Sequence, residues 1–126
     1  MKPNTTELEI LKLLWQQEPR TAKEIHDAIA ARFNWSYSST RKTLERMGDK
    51  GLLSIGEQGN KKSYTARVEK VPTLAAYAQE FAKNVLELDG PLPVAMFADS
   101  RLIESQELEE LEHLLASLSE QDKRSQ

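Results

Sequence analysis

A winged helix-turn-helix domain followed by an α-helical region is the fold this sequence predicts, mostly α with one small β-hairpin. Three observations predict it. Two Thr-x-x-Glu boxes each precede apolar residues at helical spacing. A third helical stretch, Tyr37 to Asp49, follows after a very short connection and carries an open polar face. Behind it, two short alternating segments flank the turn residues Gln58-Gly-Asn60.

Taken in order, Thr6 and Glu9 read as the first capping box, and Leu8, Leu11, Leu14 and Trp15 carry a helix to about Gln17. Glu18-Pro19-Arg20 breaks it. Thr21 and Glu24 open a second helix through Ile25, Ala28, Ile29 and Phe33, with Trp15 expected in the core and Trp35 at the turn between helices. Ser36 can cap the third helix, and Gly51 ends it. At 100° per residue, Thr40, Leu44 and Met47 point toward a core. Ser38, Lys42, Glu45 and Asp49 point away, flanked by Ser39, Arg41 and Arg46. Short hydroxyls let a helix enter a groove deeply, and adjacent cations can grip phosphates or guanine edges. The alternation of Leu53 to Ile55 and of Tyr64, Ala66 and Val68 forms the hairpin, with Lys61 and Lys62 near its tip.

Val71-Pro72 marks a boundary, so the expected organisation is a winged helix over 1–70, a helical region over 71–120 and a polar, frayed tail over 121–126, its polarity beginning at Ser119. Within the helical region, Leu74, Tyr77, Phe81, Val85 and Leu88 form one stripe. Asp89-Gly-Pro-Leu-Pro93 interrupts, and Pro93 starts a short helix with Val94 and Phe97. Ser105 is expected to cap a last helix whose stripe is Leu108, Leu111, Leu114, Leu115 and Leu118. Short helices of this kind need a partner in water. A second copy of the chain, the stripes burying each other in a symmetric dimer, is favoured over folding back onto the winged helix.

Composition narrows the function classes. The chain has 126 residues, 39% of them hydrophobic, and no cysteine, which excludes disulfides and thiolate chemistry. No apolar run approaches the roughly 20 residues of a membrane span, and no leader pattern is present, so a cytosolic protein without membrane insertion is expected. The net charge of −3 conceals a division. Residues 1–67 carry twelve Lys/Arg against eight Asp/Glu, a net of +4, and residues 68–126 carry five against twelve, a net of −7. The basic half suits a polyanion.

Catalysis is not expected. Ser36, Ser38 and Ser39 have no His/Asp arrangement near them in sequence, and His26 reads as a boundary histidine. Glu107, Glu109, Glu110, Glu112 and His113 spread around a polar helix face, so neither a metal site nor a cofactor is expected. The rival to DNA binding is a winged helix that serves as a protein-protein adaptor, and Glu45 and Asp49 on the third helix count toward it.

The chain resembles the penicillinase and methicillin-resistance repressor family, which also contains copper-transport repressors. The resemblance rests on Glu7-Leu8-Glu9-Ile10-Leu11 with Leu14-Trp15, Thr21-Ala-Lys-Glu-Ile25, Trp35-Ser36, Arg41, Leu44, Arg46, Lys50-Gly51 and the wing ending at Tyr64. It implies a homodimeric transcriptional repressor on an inverted-repeat operator. By position it implies base and phosphate contacts from Ser38, Ser39, Arg41 and Lys42 and a backbone contact from Arg46. Ser36, Lys61 and Lys62 complete the expected DNA-binding set. Where the family often has Pro and then a basic residue followed by Thr, this chain has Tyr37, Ser38 and Ser39. The resemblance also implies derepression by a membrane sensor metallopeptidase at a bond aligned with Met96-Phe97. The copper-responsive route needs cysteine and is closed to this chain.

Overall fold

The computed structural model describes residues 2–125, which divide into two compact units, Pro3–Val68 and the chain from Glu69 on. The first unit holds three helices and a small sheet: α1 (Thr5–Gln16), β1 (Arg20–Thr21), α2 (Ala22–Phe33), α3 (Tyr37–Asp49), β2 (Leu53–Gln58) and β3 (Lys61–Ala66). The order is that of a winged helix, as the sequence predicts.

α1 starts two residues earlier than its sequence suggests. Asn4, not Thr6, is the cap: its side chain accepts from the Glu7 amide at 2.9 Å, and the Glu7 carboxylate accepts from the Asn4 amide at 2.9 Å. Glu7 is fixed there because its second oxygen takes the Lys50 ammonium at 2.7 Å, at the far end of α3. Glu9 is drawn instead to Lys12 and to Arg32 on α2. At its other end the Arg20 guanidinium donates to Gln17 O at 2.9 Å and to Leu13 O at 3.3 Å, the latter shared with the Gln17 amide.

The box that opens α2 forms as its sequence indicates. Thr21 Oγ1 accepts from the Glu24 amide, and Glu24 accepts from the Thr21 amide. The Thr21 backbone and hydroxyl bonds hold the Glu24 carboxyl below the usual carboxylate range. Asn34 closes α2 in the left-handed region at φ 53°, which turns the chain sharply toward α3.

β2 and β3 form the wing, with Leu53 opposite Ala66, Ile55 opposite Tyr64 and Gln58 opposite Lys61. The sequence reading stopped at this hairpin. β1 adds a third antiparallel strand, Arg20 opposite Tyr64 and Thr21 opposite Ser63, giving the order β1-β3-β2. A two-residue strand has too little periodicity to be read. Its effect is to fasten the start of α2 to the wing, and Glu18 adds a bond to the Ala66 amide at 2.8 Å.

One core joins these elements: Ile10, Leu11 and Leu14 of α1, Ile25 and Ile29 of α2, Leu44 and Met47 of α3, and Leu52, Leu53 and Tyr64 at the sheet. Trp15 packs against this core and donates to Val68 O at 3.0 Å, while Trp35 lies against Phe33 with ring centroids 5.3 Å apart. Two glycines allow α3 to meet the wing. A Cβ on Gly48 would stand 2.9 Å from Ile55 Cδ1, and Gly51 has φ +81°, where other residues are strained.

The second unit contains α4 (Lys70–Asn84), 3-10 turns at Val94–Phe97 and Ser105–Glu107, and α5 (Leu108–Arg124). The face of α4 that is buried within the unit differs from its stripe of large apolar residues. Val71, Ala75, Gln79 and Ala82 are buried, Leu74 and Tyr77 are half-buried, and Phe81, Val85 and Leu88 are exposed. The small Ala75 side chain lets the α5 leucines Leu111 and Leu115 approach, and these two are 1% exposed. Val94, Phe97, Leu114 and Leu118 pack around that cluster, with Leu108 half-buried. The two stripes therefore meet partly within one chain.

Two further boundaries differ from expectation. Glu104, not Ser105, supplies the turn before α5, its amide donating to Glu107 Oε1 at 2.9 Å. Burial raises the Glu107 pKa, but the Glu104 amide and the Lys70 ammonium outweigh it and leave the carboxyl below its ordinary value. The expected frayed tail is helical as far as Arg124, because Ser119 is buried and Asp122 accepts from Gln79 Nε2 at 2.8 Å and lies 3.6 Å from Lys83.

Candidate nucleic-acid interface

The interface is built on the first two turns of α3. Ser36 caps the helix, its hydroxyl accepting from the Ser39 amide at 3.1 Å and standing 3.1 Å from Ser39 Oγ. That bond commits the Ser36 hydroxyl to the helix and leaves Ser38, Arg41 and Lys42 exposed ahead of it. Thr40, Leu44 and Met47 are fully buried, as their spacing indicates, and Thr43 joins them at 5% exposure. Burial of four residues on one side fixes which side α3 presents.

Thr40 does more than fill space. Its hydroxyl lies 2.8 Å from His26 Nδ1 on α2. The His26 ring in turn meets Tyr37 edge to face, centroids 5.5 Å apart at 78°. The Arg41 guanidinium stands over the same Tyr37 ring at 5.9 Å. A chain of contacts thus runs from the core to the exposed start of α3.

Beside it lies an open groove of about 710 Å³ between the start of α2, the start of α3 and the wing. Arg41, Lys61 and Lys62 line it together, and Lys23 adds a fourth cation. Tyr64 on β3 forms part of its wall. Burial raises the Tyr64 hydroxyl above the ordinary phenol value, with Tyr37 adding to this and Arg41 opposing it. Ser38, Ser39, Lys42 and Arg46 are exposed on α3 and do not line the groove, and Arg46 donates to Thr43 Oγ1 at 3.2 Å. The predicted cations therefore fall into two sets, one converging on the groove and one along the helix.

Lys23, His26 and Tyr37 were missed as interface residues by the sequence reading. Lys23 and His26 are three apart on one helix and so share a face, a signal that was present. Their meeting with the wing depends on β1, which had no readable signal.

The penicillinase repressor family profile matches residues 4–117, nearly the whole chain and both units. The chain belongs to the penicillinase repressor family. Members of that family are transcriptional regulators. The chain is also similar to an "uncharacterized 16.5 kDa protein in ptsI 3′ region" of Latilactobacillus sakei. The two are 20% identical over 113 residues, which cover 90% of this chain and 77% of that protein. Among the described residues no helix is long and apolar enough to cross a membrane.

Proposed function

We propose that this member of the penicillinase repressor family is a cytoplasmic homodimer that represses transcription by binding an inverted-repeat operator in double-stranded DNA. The convergence of Arg41, Lys61 and Lys62 with Lys23 on one groove, beside the exposed first turns of α3, carries the reading. A helix seated in the major groove reads bases mainly with its first residues, and cations on a wing at its side neutralise flanking phosphates. Arg41 and Lys42 are the base-reading candidates. Glu45 and Asp49 lie on later turns, where the helix would be leaving the groove floor.

The test is a mobility-shift titration of the full chain on the DNA upstream of its own gene at two or more salt concentrations. Lys61→Ala and Lys62→Ala are each expected to weaken binding to every sequence alike and to make the slope of log K against log salt shallower by about one unit. Binding that is absent, or insensitive to salt, would reject the reading and favour a protein partner for the winged helix.

The second copy has an apolar surface to meet. Phe81 is 48% exposed, Val85 63%, Leu86 45% and Leu88 43%, large apolar side chains in the last turn of α4 and just beyond it. Patches of this kind on a small soluble unit mark association sites. Leu74 and Tyr77 are half-buried on α4, and Leu114 and Leu118 on α5 pack against the cluster of Leu111 and Leu115.

Release from DNA follows if the dimer is cut. Met96 is 64% exposed in the 3-10 turn Val94–Phe97, and Phe97 beside it packs on the second core. A membrane-bound metallopeptidase would find the Met96-Phe97 bond at the surface. Mass spectrometry after incubation with the activated peptidase is expected to give fragments meeting at that bond, and an uncut chain would reject this route.

A further inference from the structure

We propose that Tyr37 is a specificity-determining residue that reads the 5-methyl group of thymine in the major groove. The inference rests on the DNA-binding reading above and deepens it. Tyr37 is the first residue of α3 and is 42% exposed, although it is among the largest side chains of the unit. An exposed aromatic ring would ordinarily lose rotamer freedom on binding. Here the ring is already held on two sides, by the edge contact of His26 at 5.5 Å and by the Arg41 guanidinium at 5.9 Å. His26 is itself anchored at 2.8 Å to Thr40, which is 0% exposed. A ring fixed in advance presents carbon surface to the groove at little further entropic cost.

The chemistry of the groove selects what that surface meets. Base edges in the major groove offer hydrogen-bond donors and acceptors, and the thymine methyl is the one apolar group among them. A polar base edge against the ring would lose water without gaining a partner. The methyl loses nothing. Arg41, over the same ring, is then placed to reach guanine O6 and N7 of a neighbouring pair. Tyr37 and Arg41 together would read a thymine next to a guanine. Both line the same groove as Lys61 and Lys62, so phosphate contacts from the wing would hold the register.

The probe is a duplex selected by the full chain from a randomised library, followed by copies in which single thymines are replaced by deoxyuracil, which removes the methyl alone. Affinities of the native chain, Tyr37→Phe and Tyr37→Ala are measured on each. For one thymine per half-site, deoxyuracil is expected to weaken the native chain and Tyr37→Phe by about three- to fivefold, the effect of burying one methyl. Tyr37→Ala is expected to bind the two duplexes equally. That pattern is a coupling between one side chain and one methyl, which a loss of folding does not imitate. If every deoxyuracil is neutral to the native chain, or if Tyr37→Ala keeps the same sensitivity, the assignment of Tyr37 fails while DNA binding stands. If the native chain selects no duplex, the DNA-binding reading fails and the inference with it.

Discussion

Phe81→Asp combined with Val85→Asp is expected to convert the full chain to a monomer and to lower its operator affinity by about 10²- to 10⁴-fold, the range that separates linked from unlinked binding modules. Phe81 and Val85 are 48% and 63% exposed, so charge placed there leaves the unit's own core of Val71, Ala75, Leu111 and Leu115 in place. Two carboxylates on each copy, brought together across a symmetric contact, would have to be desolvated beside like charges. Sedimentation equilibrium reads the mass and fluorescence anisotropy on a labelled operator reads the affinity. Each head should still bind a half-site, weakly and with the salt dependence of its own cations. A variant that stays dimeric would place the association surface elsewhere. A monomer of undiminished affinity would remove dimerisation from the mechanism.

That surface also marks where the sequence was readable and where it was not. Periodicity found the five α-helices among the described residues and the hairpin, because each carries an apolar pattern of its own. On α3 it placed Thr40, Leu44 and Met47 inside and Ser38, Arg41 and Lys42 outside, and the structure agrees. On α4 it picked out the large apolar stripe of Leu74, Tyr77, Phe81, Val85 and Leu88, expected to meet a second copy, and left unread the face that packs within the unit. The face packed on α5 runs through Val71, Ala75 and Ala78, since small residues are what let α5 approach. Pattern alone does not separate a face that packs within the chain from one left for a partner. Caps failed for a related reason. Thr6 and Asn4 are both good caps by type, and the choice is made by Lys50, forty-three residues from Glu7. The groove was half visible: its wing lysines stood out in sequence, but Lys23 reaches it through the unpredicted pairing of β1 with β3.

Leu44→Ala is expected to lower the stability of the first unit by about 2–5 kcal/mol and its melting temperature by on the order of 10–40 °C. Leu44 is 0% exposed and lies in the cluster that unites α1, α2, α3 and the sheet, so truncation leaves a cavity where four elements meet. Lys42→Ala, two residues away on the open face, is expected to change stability by no more than about 0.5 kcal/mol while weakening operator binding by about 1–3 kcal/mol if it reads a base. Thermal unfolding followed by circular dichroism and titration of DNA at a temperature where both variants are folded separate the two effects. The contrast tests how α3 works. If the core fixes its orientation, the folded fraction of Leu44→Ala binds with reduced affinity and reduced preference for the operator, because the chain from Thr40 through His26 to Tyr37 rests on the same buried face. If the groove residues are instead positioned by DNA on contact, Leu44→Ala loses stability alone, and its folded molecules bind as the native chain does.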